Sequence, residues 1–275
     1  MVAQYIERNV QAALAEDIGS GDITAELLPN TPCEATILCR EAAILCGQAW
    51  VDETFRQCDS RIQITWHYKD GDRIAPNALV CTLSGPARPL LTGERTALNF
   101  LQTLSGTATT TRRWVDRLAS TTCQLLDTRK TLPGLRLAQK YAVRVGGGTN
   151  HRLGLHDAYL IKENHIAAAG GIGPALTQAR QFHPKAFLEI EVESLEEYQE
   201  ALSFRPDRIM LDNFPLPLLQ EALKIPHEGI AIEISGGVDE STLLPLAQLG
   251  VDCISVGFLT KHLQAIDFSF RITKN

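Results

Sequence analysis

Hydrophobic and polar positions follow two different rhythms along this chain. Ile6, Val10 and Leu14 fall at i, i+4 and i+8, the apolar stripe of an amphipathic helix. The turn formers Asp17-Ile18-Gly19-Ser20-Gly21-Asp22 end it. Short β-like pieces follow at 35–39 (ATILC), 42–47 (AAILCG), 62–68 (IQITWHY) and 78–83 (ALVCTL), the later ones separated by Lys69-Asp70-Gly71-Asp72 and Pro76-Asn77. A helix is predicted over 93–104, with Ala97, Leu98, Leu101 and Leu104 on one face.

From Cys123 the rhythm becomes strand, loop, helix, repeated. Strands are predicted at 123–127, 158–162, 187–192, 208–212, 231–235 and 253–257, with amphipathic stretches LRLAQKYAVRV, ALTQARQF, LEEYQEALSF, LPLLQEALK and STLLPLAQL between them. Short apolar strands alternating with helices are the pattern of βαβ units and a parallel sheet. About six such units without an obvious switch point favour a closed or nearly closed parallel α/β barrel over a doubly wound sheet. The expected organisation is an N-terminal α/β domain over 1–106 and a barrel over 107–266, with the alternating segment 267–273 rejoining the first domain as a strand. The triplet Gly146-Gly147-Gly148 follows a predicted helix and is expected to cap it.

Composition narrows the class. No apolar run approaches the roughly 18 residues of a membrane span, and the N-terminus lacks a secretory h-region, so a cytoplasmic protein is expected. Seven cysteines form no C-x-x-C pair and sit mostly in apolar runs, which suits buried thiols in a reducing compartment rather than disulfides or zinc. The net charge of −6 argues against a nucleic-acid surface. The charge is uneven, however. Residues 127–165 carry seven Lys/Arg against three acids, a local +4, leaving −10 for the rest of the chain. A basic segment in an acidic protein points to a small anionic ligand.

In a parallel barrel, chemistry gathers at the C-terminal ends of the strands. Here those ends carry Asp127-Thr128-Arg129-Lys130, Lys162, the alternating Glu189, Glu191 and Glu193, Asp212-Asn213, Ser235-Gly236-Gly237 and Ser255-Val256-Gly257. Charges facing the inside of a barrel must be paired or bind a ligand, because leaving them desolvated and alone is prohibitive. Glycine turns at the last two strand ends let backbone N–H groups reach a phosphate. The pattern suits a sugar phosphate bearing a pyrophosphate, a second anionic substrate, and acids for ribose hydroxyls and a divalent metal.

The stretch DTRKTLPGLRLAQKYAVRVGGGTNHRLGLHDAYLIKENHI (127–166) closely resembles the quinolinate phosphoribosyltransferase family. Supporting pieces run along the chain: EDIGSGDIT, GERTALNFLQTLSG, IEVESLEE, IMLDNF, EISGGV and VDCISVGFLTK. The resemblance implies an α/β sandwich plus an incomplete barrel, paired as a homodimer or higher homo-oligomer. It implies transfer of phosphoribose from phosphoribosyl pyrophosphate to quinolinate with decarboxylation, giving nicotinate mononucleotide for NAD biosynthesis. Carried onto this sequence, Arg95 would reach the partner's site, while Arg129, Lys130, His151, Arg152 and Lys162 would line the quinolinate pocket. Glu193 and Asp212 would hold ribose hydroxyls and Mg²⁺, and Ser235, Gly236, Gly237 and Gly257 would cradle the 5′-phosphate. Lys130, Lys162, Glu193 and Asp212 are the expected catalytic set. Thr107 and Ser194 depart from the family's usual residues, away from these roles. Three other readings stand beside it: a Schiff-base aldolase using Lys162, a phosphoribosyltransferase of altered substrate such as a molybdenum-locus paralog, and a non-catalytic barrel that binds sugar phosphate.

Overall fold

The computed structural model describes residues 2–273. They divide into two compact units, one of Met1–Arg112, Leu132–Gly147 and His262–Asn275, the other of Arg113–Thr131 and Gly148–Lys261.

The first unit begins with α1 (Val2–Ile18), which buries Ile6, Val10 and Leu14, the stripe read from the sequence. Then come β1 (Pro32–Cys39), β2 (Ala43–Ile44), α2 (Gln48–Cys58), β3 (Gln63–Trp66), β4 (Arg73–Ile74), β5 (Leu79–Pro86) and α3 (Ala87–Arg117). Helix α2 escaped the sequence reading. Its buried face is Trp50, Val51, Thr54 and Phe55, a stripe diluted by polar neighbours. Helix α3 is far longer than the predicted 93–104. Its buried Thr107 and Thr111 donate their hydroxyls back to the carbonyls of Thr103 and Thr107, at 3.2 and 2.8 Å, so neither hydroxyl is left unsatisfied inside.

The C-terminal strand Phe268–Thr273 pairs antiparallel with β1, from Cys39 opposite Phe268 to Glu34 opposite Thr273. On its other side β1 pairs with β5, which pairs with β3. Ile37, Leu83, Leu98, Leu101 and Phe268 share the core that this sheet covers, a burial that stabilises by roughly 1.5–3 kcal/mol per large side chain. α4 (Arg136–Val145) also belongs to this unit, with Gly146 as its C-cap.

The second unit is the parallel sheet. Its strands are β6 (Gln124–Leu126), β7 (Ala158–Ile161), β8 (Phe187–Val192), β9 (Arg208–Asp212), β10 (Ala231–Ser235) and β11 (Cys253–Ser255), with the C-terminal strand completing the series as β12. The helices are α5 (Glu163–Ala169), α6 (Ile172–Phe182), α7 (Leu195–Ser203), α8 (Leu216–Ala222), α9 (Leu243–Ala247) and α10 (Phe258–Lys261). The strand order is β6-β11-β10-β9-β8-β7. From β7 to β11 each strand lies beside its successor, and β6 sits beside β11, as in a closing barrel. The row ends at β6 and β7, so the barrel is incomplete.

Inward positions share rows across the sheet. Glu189 lies opposite Arg208, Glu191 opposite Met210, and Ser235 opposite Asp212. The C-terminal ends of all six strands therefore deliver polar groups to one mouth.

Candidate active site

A cavity of about 210 Å³ opens at that mouth. The segment after β6 contributes Thr128, Arg129 and Lys130, and the segment before β7 contributes His151 and Arg152. Strand β7 and its end supply Leu160 and Lys162, and Glu191 comes from β8. Met210 and Asp212 of β9, Ser235 of β10 and Ser255 of β11 complete the wall.

Buried hydrogen bonds fix the two basic segments. Asp127 has no exposed surface and accepts from the His151 N–H at 2.9 Å and from Asn150 Nδ2 at 2.6 Å. Lys130 donates its N–H to Thr128 Oγ1 at 3.0 Å, and its carbonyl accepts from Thr260 Oγ1 at 2.8 Å. The loops that carry the cations are thus tied to the strand ends rather than left to solvent.

The guanidiniums of Arg129 and Arg152 face the same space. The Nε of each is buried and lacks a hydrogen-bond partner among the described residues. Burial, followed by the Arg129 charge, draws Arg152 below the usual arginine range. Two half-buried cations, each with a buried and unused Nε donor, form a socket for an anion, most naturally a carboxylate held by Arg forks.

Of the seven basic residues in 127–165, Arg129, Lys130, Arg152 and Lys162 line the cavity, while Arg136, Lys140 and Arg144 lie on α4 in the other unit. The sequence-level charge excess therefore mixes two populations.

The acids separate as well. Lys162 Nζ donates to Glu191 Oε2, and Glu191 is 8% exposed. Glu193, the acid singled out from the sequence, does not line the cavity. Strand β8 ends at Val192, and the chain turns there because Ser194 caps α7, its Oγ accepting from the Glu197 N–H at 3.1 Å. Glu193 stays on the exposed rim, its carboxylate within 4.8 Å of those of Glu163 and Glu191. Alternation along the strand had put all three glutamates on one face; the end of the strand keeps Glu189 and Glu191 inside and leaves Glu193 out. Asp212 points into the cavity and accepts from Asn213 Nδ2 at 2.6 Å.

Ser235 lines the wall, with Gly236 and Gly237 behind it. A Cβ on Gly236 would stand 2.1 Å from Asn213 Oδ1, and its φ is +87°. That glycine lets the turns after β9 and β10 close together, with the Asn213 N–H donating to the Ser235 carbonyl at 3.0 Å. Gly257 lies against Lys130, whose Cδ would be 3.0 Å from an added Cβ. Arg95 belongs to α3 of the first unit, its side chain 58% exposed and its nearest acid Glu94 at 3.9 Å.

Sequence reasoning named Glu189 and His151 but missed Glu233 and Arg208, and with them the layer that the four form. Glu233 and Arg208, each one inward step deeper than a cavity residue on its strand, join Glu189 and His151. Arg208 Nη1 lies 3.0 Å from Glu233 Oε2 and 3.8 Å from Glu189 Oε2. The available signal was a charge inside an otherwise apolar strand, as in A-I-E-I-S.

Residues 22–105 match the quinolinate phosphoribosyl transferase N-terminal domain, and residues 107–271 match the C-terminal domain of the same family. The chain belongs to the quinolinate phosphoribosyl transferase family. Within that family, the nicotinate-nucleotide pyrophosphorylase structure from Francisella tularensis is 48% identical and superposes with a TM-score of 0.96, over 98% of this chain and 97% of that one. The probable nicotinate-nucleotide pyrophosphorylase (carboxylating) of Bacillus subtilis is 42% identical over 260 residues, which is 94% of this chain and 90% of that protein. The Mycobacterium leprae nicotinate-nucleotide pyrophosphorylase (carboxylating) is 41% identical over 268 residues, 94% of each.

Proposed function

We propose that this chain transfers the phosphoribosyl group of phosphoribosyl pyrophosphate to quinolinate and releases CO₂, giving nicotinate mononucleotide. One observation carries the reading: Arg129 and Arg152 bring buried, unused donors into a cavity that also receives Lys130, Lys162, Glu191 and Asp212. A twice-negative aromatic acid answers that need. Each charge-assisted hydrogen bond contributes roughly 1.5–3 kcal/mol, so one cation would not offset the desolvation of two carboxylates.

Arg129 and Arg152 hold the carboxylates and fix the ring plane, with Lys130 and Lys162 adding positive charge. Asp212 and Glu191 face the ribose, where they hold hydroxyl groups and stabilise the positive charge that develops at the anomeric carbon as its bond to pyrophosphate breaks. The electron pair leaves with pyrophosphate, and the ring nitrogen supplies the pair for the new bond. Quaternised nitrogen then draws electrons from the adjacent carbon–carboxylate bond, CO₂ leaves, and the ring carbon takes a proton. Holding both substrates in one cavity supplies much of the acceleration.

Asp212 inside the cavity and Glu193 at the rim are hard oxygen donors of the kind Mg²⁺ takes, and they are the residues we assign to it. Mg²⁺ bound there would neutralise charge on the pyrophosphate leaving group. Ser235, Gly236, Gly237 and Gly257 take the 5′-phosphate, and His151 orients the quinolinate side of the pocket. The working enzyme is a cytoplasmic homodimer in which Arg95 completes the partner's site. The Schiff-base reading loses ground because Lys162 Nζ donates to Glu191 Oε2, which engages the nitrogen that nucleophilic attack requires.

Incubation with quinolinate, phosphoribosyl pyrophosphate and Mg²⁺, followed by chromatography and CO₂ capture, tests the reading. Stoichiometric nicotinate mononucleotide and CO₂ are expected. Absence of both, in protein that is folded, rejects it.

A further inference from the structure

Beneath the cavity lies a closed ionisable layer that the reaction outlined above does not use. Glu189 and Glu233 have no exposed surface, and Arg208 reaches both. The carboxylate oxygens of the two glutamates and His151 Nε2 lie within 4.8 Å of one another. Oε1 of Glu189 and Oε1 of Glu233 lack a hydrogen-bond partner among the described residues, while Glu189 Oε2 faces His151 Nε2 at 3.0 Å.

We propose that Glu189 and Glu233 hold one proton between them, and so keep the layer under the bound dianion electrically neutral. Charge balance is the first argument. Two ionised carboxylates against one guanidinium would leave a net negative charge in a buried layer, next to a site built for anions. Hydrogen bonding is the second. A proton on either carboxyl creates a donor for an oxygen that otherwise has none.

Neighbouring groups do not remove the need. His151 Nδ1 accepts the Arg152 N–H at 2.8 Å, which leaves Nε2 as the ring's N–H, 3.0 Å from Glu189 Oε2. Cys253 Sγ is 3.7 Å from Glu233 Oε2, and burial raises that thiol so that it stays protonated. Glu191, next along β8, is matched by Lys162. Arg152 adds positive charge from the cavity side, although its own task is the anion. Burial pushes Glu189 and Glu233 each up to about 7, and for Glu233 the charge of Glu189 adds to the effect. An Arg208 this close also argues against a metal ion in the His151, Glu189 and Glu233 group.

The consequence is a pH-dependent affinity. Loss of the shared proton places a negative charge below the quinolinate carboxylates, and at an effective dielectric near 20 this weakens binding about tenfold. Glu189 and Glu233 thus act as positioning residues: they touch no substrate, and they set the field in which Arg152 and His151 meet it.

Infrared spectroscopy of the full-length enzyme with ¹³C-labelled glutamate reads the proton directly. A protonated carboxyl band is expected at neutral pH, fading as the pH is raised, and missing from the Glu189→Gln/Glu233→Gln protein. A wild-type spectrum without that band at neutral pH overturns the proposal, whatever the kinetics. The second measurement rests on the proposed function. KM for quinolinate should rise about tenfold between roughly pH 6.5 and 8.5 while kcat moves less, and Glu233→Gln should flatten the rise. An equal rise in Glu233→Gln and wild type counts against the shared proton. A wild-type enzyme that turns over no quinolinate at any pH counts against the functional reading instead, and leaves the infrared test to decide the proton.

Discussion

Lys162 pairs with Glu191 at the wall of the cavity, so a strand-end cation and a buried acid neutralise each other. Binding an anion near the ammonium and a ribose near the carboxylate redistributes that pair. Glu191→Gln should therefore lower kcat/KM by roughly 100-fold, because it leaves a half-buried ammonium without its partner and removes a carboxylate facing the ribose. Glu193→Gln, on the exposed rim, should cost much less. Steady-state kinetics with both substrates separates the two, and the reverse ranking would return Glu193 to the centre of the site.

Arg152→Ala and Lys130→Ala should each abolish most turnover while circular dichroism stays that of the folded protein. Arg152 leaves its buried Nε without a partner among the described residues and gives the fold one long hydrogen bond, from Nη1 to the Ala158 carbonyl at 3.4 Å, so its removal takes away chiefly a substrate contact. Near-normal activity in either variant would remove that residue from the site.

Subunits carrying Arg95→Ala, mixed with subunits carrying Arg129→Ala, should regain part of the activity that each lacks alone. A hybrid dimer has one site with both arginines intact when Arg95 acts across the interface. Hybrids that form, by native mass spectrometry, yet stay inactive would place Arg95 outside a shared site.

Gly257→Ala should disturb Lys130 more than the fold. The added methyl meets the flexible Lys130 side chain 3.0 Å away, which can shift at small energetic cost. The expected result is a weakened KM for phosphoribosyl pyrophosphate with a melting temperature within a few degrees of wild type. Gly236→Ala is the contrast. There the methyl meets Asn213 at 2.1 Å with a backbone φ of +87°, and a loss of about 1–3 kcal/mol of stability is expected.

The buried glutamates also make stability depend on pH. Their folded pKa values, about 7, lie above the ordinary 4.5, so the folded state binds the proton more tightly than the unfolded chain. That contribution is fully present below pH 4.5 and is lost as pH rises through about 7. For one shared proton it amounts to on the order of 2–3 kcal/mol. Glu233→Gln should therefore gain stability relative to wild type as pH rises across that window, measured by chemical denaturation. A constant difference between the two proteins across the window would remove the linkage.

Periodicity in the sequence was enough for the strands of the barrel and for α6 to α9, because each strand there is a short apolar run and each of those helices buries one stripe. Helix α5, with no buried residue, and the one-turn α10 gave no such signal. β8, β9 and β10 span the residues read for them: Phe187–Val192, Arg208–Asp212 and Ala231–Ser235. The motif around Thr128-Arg129-Lys130, together with Lys162 and Asp212 at strand ends, was legible because polar residues interrupt apolar runs at the one edge of a parallel sheet where chemistry collects. Tertiary structure alone decided three things. It placed Glu191 inside and Glu193 on the rim, since a strand's end is set by the helix cap that follows it. It split the basic segment between the cavity and α4, which one-dimensional charge counting merges. It also gathered His151, Glu189, Arg208 and Glu233, which come from different strands and loops, into one dry layer. Only there does low dielectric make their charges depend on one another.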